Sequence, residues 1–278
     1  MQKLKLGHSI TDIGSIFRSL HVKGDPFILA NVWDRGSAMM LQAMGAPALA
    51  TSSAAHAFTL GRPDGGTVSR DEALAHAQDI CAIAKVPVQG DFEDGFGEAP
   101  ETCAESVRLA AEVGLAGICI EDTNLPSDDS YDFDLSVERI KAAAAAARGL
   151  GHDFVLTARA DGLMIGTYDV DTTIARVQAF AAAGADCIYA PLPPSFDGLA
   201  RICASVDVPV NVLAAGAYAK YTLADYAGIG IARVSLGSAL ARVTHRAIHD
   251  AGRAMLGDGD FTSLLSAMPG DDVDKMLG

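Results

Sequence analysis

Eight short apolar runs alternate with helical segments along a chain of 278 residues, and this predicts a (β/α)8 barrel. Three observations carry the prediction. Glycine repeatedly stands just past a helical segment and just before an apolar run, at Gly45, Gly114, Gly184 and Gly230, where a left-handed helix C-terminus wants it. The runs are nearly continuously apolar, as strands buried on both faces require. The length suits a barrel, which commonly fills about 250 residues as one unit. An open doubly wound sheet is the rival, since periodicity does not reveal closure.

The first strand is expected at 27 to 31 (Phe-Ile-Leu-Ala-Asn) and the second at 47 to 51, after Gly45. The third, 86 to 91, is Val-Pro-Val-Gln-Gly-Asp, and the fourth, 116 to 121, follows Gly114. The fifth to eighth are 154 to 158, 186 to 189, 208 to 213 and 231 to 235. Helices fall between them at 36 to 44, 69 to 84, 100 to 113, 134 to 149, 170 to 183, 196 to 204, 222 to 228 and 237 to 256. Ser69 with Glu72 forms a capping box, and Thr222 with Asp225 a weaker one. A leading helix near 9 to 21 and a helical tail from about 258 to 278 stand outside the eightfold count; the whole of 1–278 reads as one domain.

Half the residues are hydrophobic, enough for a sizeable core, and the formal net charge of -14 excludes a phosphate-backbone partner, which clustered Lys and Arg would have to hold. The five cysteines never form a CxxC pair, so zinc and thiol exchange are not indicated and a reducing cytoplasm fits. No continuous apolar stretch is long enough for a membrane span.

In such barrels the chemistry lies at the C-terminal strand ends. Those ends are polar here: Asn31 to Asp34, Thr51-Ser52-Ser53, Asp91 to Asp94, Glu121-Asp122, Thr157 to Asp161, Tyr189, Asn211 and Ser235. Strand alternation would turn both Asp91 and Glu93 towards the mouth with Phe92 packing outward, and Glu121 on the next strand can join them. Three carboxylates that repel one another suit a hard cation with oxygen ligands, Mg2+ or else Mn2+, with Asp91, Glu93 and Glu121 as the metal residues. Each acid by itself would equally fit a solvated loop or a helix cap. Arg159 reads either as a clamp on a substrate carboxylate or as the neutraliser of a nearby acid. His245 and His249, four apart, read as a solvated helix face.

The spaced motifs Asn31-Val32-Trp33-Asp34-Arg35-Gly36-Ser37-Ala38, Thr51-Ser52-Ser53, Gly61-Arg62-Pro63-Asp64-Gly65, Asp91-Phe92-Glu93-Asp94-Gly95-Phe96-Gly97, Ile120-Glu121-Asp122 and Ala158-Arg159-Ala160-Asp161 resemble the isocitrate lyase and phosphoenolpyruvate mutase superfamily over nearly the whole chain. The resemblance implies Mg2+ near Asp91, Glu93 and Glu121, with Asp64 beside the metal and its waters. It implies Ser53 with its neighbouring backbone, Ser52 included, and Arg159 on the carboxylate of a 2-oxo acid, with Trp33 walling the pocket and Asn211 among the substrate-binding residues. Arg159, Asp64 and Glu121 are then the catalytic set. It further implies enolate chemistry held by the metal, a last helix exchanged between subunits, and a homo-oligomer, dimer or tetramer.

The chain departs from the family's lyases in one loop. Isocitrate and methylisocitrate lyases carry a Cys proton donor in a Lys-Lys/Arg-Cys-Gly-His stretch after the fourth strand; this chain reads Asp122-Thr123-Asn124-Leu125-Pro126-Ser127-Asp128-Asp129-Ser130-Tyr131. Phosphoenolpyruvate mutases place a Lys there as well, and the acids here would repel a phosphonate. Thr157 also replaces the Asn of the family's Asn-Ala-Arg motif. The loop 122 to 133 fits a mobile cover. The expectation is a Mg2+-dependent lyase that cleaves a carbon–carbon bond of, or decarboxylates, a small 2-oxo or 2-hydroxy dicarboxylate. Tyr189 and His56, the latter in a loop that faces outward, are the candidate acids. The alternatives are a phosphonomutase or phosphonopyruvate hydrolase, and a barrel that binds a 2-oxo acid without catalysis.

Overall fold

The computed structural model describes residues 10–127 and 129–278, with backbone alone at 10–12. Eight parallel strands close a barrel in sequence order: β1 Phe27–Asn31, β2 Ala48–Ala50, β3 Val88–Asp91, β4 Gly117–Glu121, β5 Val155–Arg159, β6 Cys187–Tyr189, β7 Val210–Leu213 and β8 Arg233–Ser235, with β8 pairing β1. The sheet closes, which removes the doubly wound alternative.

The helices are α1 Ile10–Ser19, α2 Arg35–Ala43, α3 Ser53–Thr59, α4 Arg70–Cys81, α5 Pro100–Glu112, α6 Phe133–Arg148, α7 Gly162–Ile165, α8 Val170–Ala182, α9 Phe196–Ala204, α10 Leu223–Gly228, α11 Ala239–Asp258 and α12 Gly270–Leu277. The four glycines that mark the repeat all have positive φ, 93° at Gly45, 95° at Gly114, 105° at Gly184 and 85° at Gly230. Both capping boxes form: Ser69 with Glu72 opens α4 and Thr222 with Asp225 opens α10. Residue 9 of the expected leading helix and Asp128 of the cover loop lie outside the described residues.

Two short helices go beyond the eightfold pattern. The segment after β2, expected as a loop, is α3, with the Ser52 hydroxyl accepting the Ala55 N–H at its start. Asp161 leads into the single turn of α7 after β5. Within the loop that follows β4, Thr123–Asn124 and Asp129–Ser130 pair as a small antiparallel hairpin.

The main core lies between barrel and helices, with Phe92, Ile118, Ile120, Leu156, Ile188 and Val212 fully buried. A second cluster closes the barrel floor, where Phe17 of α1 packs on Leu29, Ala48, Ala50 and Val155. Above it lies a polar layer centred on Arg233, which is 1 % exposed. Its guanidinium donates to Asn211 Oδ1 (2.8 Å), Gln89 Oε1 (2.7 Å) and Thr157 Oγ1 (3.1 Å), and meets His21 Nε2 at 3.1 Å. Every partner in that layer is uncharged: burial, with Arg233 beside it, pushes the His21 imidazole down to about 3.

At the other end of the chain α11 buries only Ala241 of its 20 residues. Val243, Ile248 and Leu256 stand exposed on it, Leu256 to 91 %. The chain then returns, and α12 packs against α2. No helix among the described residues is long and apolar enough to cross a membrane.

Candidate active site

The site forms where β2, β3, β4 and β5 end, because each strand delivers a polar residue as its apolar run stops. Asp91, the last residue of β3, is fixed by the tip of β2. Its Oδ2 accepts both the backbone N–H and the hydroxyl of Ser53, each at 2.9 Å, and its own N–H donates to Thr51 Oγ1 at 2.8 Å. Ser53 therefore orients Asp91, and Ser52 caps α3.

Glu121 ends β4, and Arg159 ends β5 beside it in register. Arg159 Nη1 lies 2.9 Å from Glu121 Oε2 and 3.9 Å from Asp91 Oδ1, while its Nε donates to Asp161 Oδ1 at 2.5 Å. Of the two readings of Arg159, neutraliser of acids is the one this geometry displays. Its Nη2 donates to no acceptor among the described residues.

Glu93 arrives differently from the expectation. The strand stops at Asp91, so alternation does not carry through, and Glu93 takes a left-handed φ of 46°. Its buried carboxylate accepts the Gly66 N–H at 3.3 Å, from the turn that holds Asp64. Phe92 does pack outward into the core, edge-on to Phe96. Asp64 is exposed, with Oδ1 accepting its neighbour Gly65 N–H. That turn meets the cover loop, for a side chain at Gly66 would touch Leu125 and Pro126.

The electrostatics follow from crowding acids around one cation. Burial, then Asp91 and Asp64, pushes Glu93 up to about 7. Burial drives Glu121 well above the ordinary carboxylate range against the pull of Arg159, with Asp161, Asp91 and Glu93 adding to the rise. Burial brings Asp161 to about 6. Burial opposes the charge on Arg159, yet Asp161 and Glu121 hold it well above its usual value.

Below the mouth, a chamber of about 50 Å3 is lined by Asp91, Arg159, Tyr189, Asn211, Arg233 and Ser235 among others. Asn211 is held there from both ends, its Nδ2 donating to Ser235 Oγ (2.9 Å) and its Oδ1 accepting from Arg233. Asn31 ties the rim of β8 to β2: Oδ1 accepts the N–H groups of Leu236 and Gly237, and Nδ2 donates to the Thr51 carbonyl. Trp33 is half-buried beside α2, and its carbonyl meets His76 Nε2 at 3.0 Å.

His56 is corrected by the structure. It belongs to α3 and points inward, its ring stacked on His76 with centroids 3.8 Å apart and both ring nitrogens buried without a hydrogen bond among the described residues. The apolar run Ala54-Ala55-His56-Ala57, which puts it there, continues a helix rather than a loop. His245 packs edge-on to Phe58, and His249 meets Asp250.

The sequence places Asp122 and Asp161 at polar strand tips without giving either a role, and the part of Arg233 went unseen. Asp122 accepts the Asp161 N–H (2.8 Å), the Tyr168 hydroxyl (2.8 Å) and Arg176 Nη1 (3.0 Å), so it anchors the base of the cover loop. The available signal for Arg233 was a charge inside the apolar run Ile231 to Ser235.

Among the described residues, no three His, Cys, Asp or Glu side chains converge to hold a metal directly. The residues nevertheless fit Mg2+, which keeps several waters and takes one or two carboxylates. The donors are all oxygen, and among the described residues Arg159 is the cation that meets Asp91, Glu121 and Asp161, so a divalent ion would offset the burial, and after it the mutual repulsion, that raise Glu93 and Glu121.

Comparison with known proteins agrees with the geometry. The profile of the family described as phosphoenolpyruvate phosphomutase matches residues 17–256. A provisionally named lyase/mutase of Burkholderia cenocepacia J2315, of solved structure, is 43 % identical with a TM-score of 0.92, covering 96 % of this chain and 95 % of that one. The 2-methylisocitrate lyase of Escherichia coli is 26 % identical over 94 % of this chain and 90 % of its own length. The oxaloacetate decarboxylase of Chromohalobacter salexigens is 28 % identical over 86 % of this chain and 84 % of its own.

Proposed function

The chain belongs to the isocitrate lyase/phosphoenolpyruvate mutase superfamily of lyases and mutases, and on that premise we propose that it is a Mg2+-dependent lyase which cleaves a carbon–carbon bond of, or decarboxylates, a small 2-oxo or 2-hydroxy dicarboxylate through an enolate. The observation that carries the reading is the Arg159-centred cluster of acids at the barrel mouth, over a chamber sized for a small polar group. A bound divalent cation supplies Lewis-acid stabilisation of the oxygen on which negative charge develops.

The protein's own residues prepare the rest. Ser53 and Thr51 hold Asp91 in one orientation, and Glu121 with Asp161 fixes the plane of Arg159, leaving Nη2 to meet a carboxylate or enolate oxygen. Asp64 sits on a turn that touches the cover loop, so closing the loop over a substrate also screens the acids from water. Carbon chemistry is favoured over phosphorus–carbon chemistry because the described residues of that loop carry Asp129 and no Lys, Arg or His to meet a phosphonate. The solvent-facing Val243, Ile248 and Leu256 of α11 support a homo-oligomer in which this helix finds its partner on a second copy.

The test is turnover of oxaloacetate, substituted malates and methylisocitrate with and without Mg2+, alongside phosphorus NMR after incubation with phosphonopyruvate. Metal-dependent release of pyruvate or CO2 from the dicarboxylates is expected. Metal-independent turnover, or cleavage of phosphonopyruvate alone, would overturn the reading.

A further inference from the structure

A lyase or decarboxylase must return a proton to the enolate carbon, and the described residues of the cover loop offer no Cys, His, Lys or free phenol to give it. Three of its hydroxyls are engaged: Tyr131 donates to Asp94 Oδ2 at 2.8 Å, Ser130 pairs with Thr167 at 2.5 Å, and Ser127 donates to the Asn124 carbonyl. Thr123 Oγ1 is buried without a hydrogen bond among the described residues, but an aliphatic alcohol is a far weaker acid than a phenol. The chamber wall differs. Tyr189 ends β6 in register with Arg159, which is itself in register with Glu121, so its ring stands in the row of residues that forms the mouth. The residue is 8 % exposed, yet its hydroxyl makes no hydrogen bond among the described residues. The hydroxyl of a tyrosine this enclosed normally finds a partner; that of Tyr189 has none and is not among the fully buried unpartnered atoms, so on a residue that lines the chamber it is placed for a ligand. Burial keeps the phenol protonated well beyond neutral pH, and Arg159, its guanidinium 5.4 Å from the ring centroid, works the other way.

We propose that Tyr189 is the proton donor: its hydroxyl, on the chamber wall beside Arg159, protonates the carbon freed by carbon–carbon cleavage. The Tyr189 O–H bond breaks as the new C–H bond forms, the enolate electron pair supplies that bond, and the phenolate left beside Arg159 recovers its proton from water. Cys119 is the competing wall residue, but it is in register with Thr157, two residues deeper along its strand than Glu121. The inference rests on the lyase reading and identifies the acid which that reading lacks.

The reverse step gives the test. With Mg2+, the unsubstituted protein is expected to exchange the methyl hydrogens of pyruvate with D2O, followed by proton NMR, and to bind oxalate, a planar dianion resembling an enolate, by calorimetry. Tyr189→Phe should slow exchange by about 100-fold or more, with oxalate affinity within about threefold and an unchanged thermal midpoint, while Cys119→Ser exchanges normally. Tyr189→His, which carries another donor, should restore part of the exchange and make it fall away as the imidazole loses its proton, and it carries the test should Tyr189→Phe fold poorly. Normal exchange by Tyr189→Phe, loss in Cys119→Ser instead, or loss of oxalate binding along with exchange would overturn the inference. Oxalate binding without exchange by the unsubstituted protein sinks the inference and leaves ligand recognition standing; absence of both sinks the lyase reading as well.

Discussion

At the scale of single residues, the acids at the barrel mouth were legible and their posture was not. Asp91 and Glu121 sit where an apolar run stops, which sequence displays directly; Glu93 needed a left-handed backbone turn that alternation does not announce. Arg159 showed its two possible roles, but only distances to Glu121 and Asp161 could choose between them. Asp91→Ala should abolish Mg2+-dependent activity and weaken Mg2+ binding by calorimetry, with little change in thermal midpoint, because it removes a carboxylate from a crowded acidic cluster. Arg159→Lys should lower kcat/KM by about 100-fold or more, since an ammonium cannot span Glu121 and Asp161 in one plane and also reach a substrate oxygen. An activity loss confined to KM would mean that Arg159 acts in binding alone.

Among elements, the repeat of glycine and apolar run located all eight strands to within two residues, because closure of helix ends and burial of strands on both faces are local demands. The short insertions α3, α7 and the hairpin after β4 escaped because they answer to the site instead of to the repeat. Ser52, for example, reads as one more polar strand tip, and only the fold reveals it as a helix cap. Where a local signal did exist it can be measured. Ser69→Ala removes the hydroxyl that caps α4 and should cost about 1 kcal/mol of stability by chemical denaturation, with no effect on metal binding. A neutral result would mean that Glu72 and Arg62 hold the helix start unaided.

For the whole molecule, pH and assembly are the informative variables. His21 is held neutral to about 3 by burial and by Arg233, whereas in the unfolded chain it protonates near its ordinary 6.5. Below pH 6.5 the unfolded state therefore binds the extra proton, so the stability contribution is complete above that value and is lost as pH falls towards 3. Burial depresses His56 to about 4, and it should add a slope of the same sign. His21→Gln, which keeps an acceptor for Arg233, should flatten the fall in thermal midpoint between pH 6.5 and 4; an unchanged slope would assign acid lability to other groups. The unpartnered face of α11 predicts a multimer by light scattering, and Val243→Asp with Ile248→Asp should yield a smaller species that retains the far-ultraviolet spectrum of the barrel. A single-copy mass for the unsubstituted protein would contradict that assembly.

The layer around Arg233 carries a consequence for recombination. One guanidinium is satisfied at once by β3, β5, β7 and the segment just after α1, through Gln89, Thr157, Asn211 and His21. Those residues are scattered over more than two hundred positions of chain, so any chimaera that exchanges half of this barrel for half of a relative's splits the set. Where the relative lacks the matching residues, a hybrid would then bury either a cation short of acceptors or acceptors without their cation. Crossovers in this scaffold should succeed only when all five side chains travel together or the relative supplies their equivalents, whatever the match at the mouth.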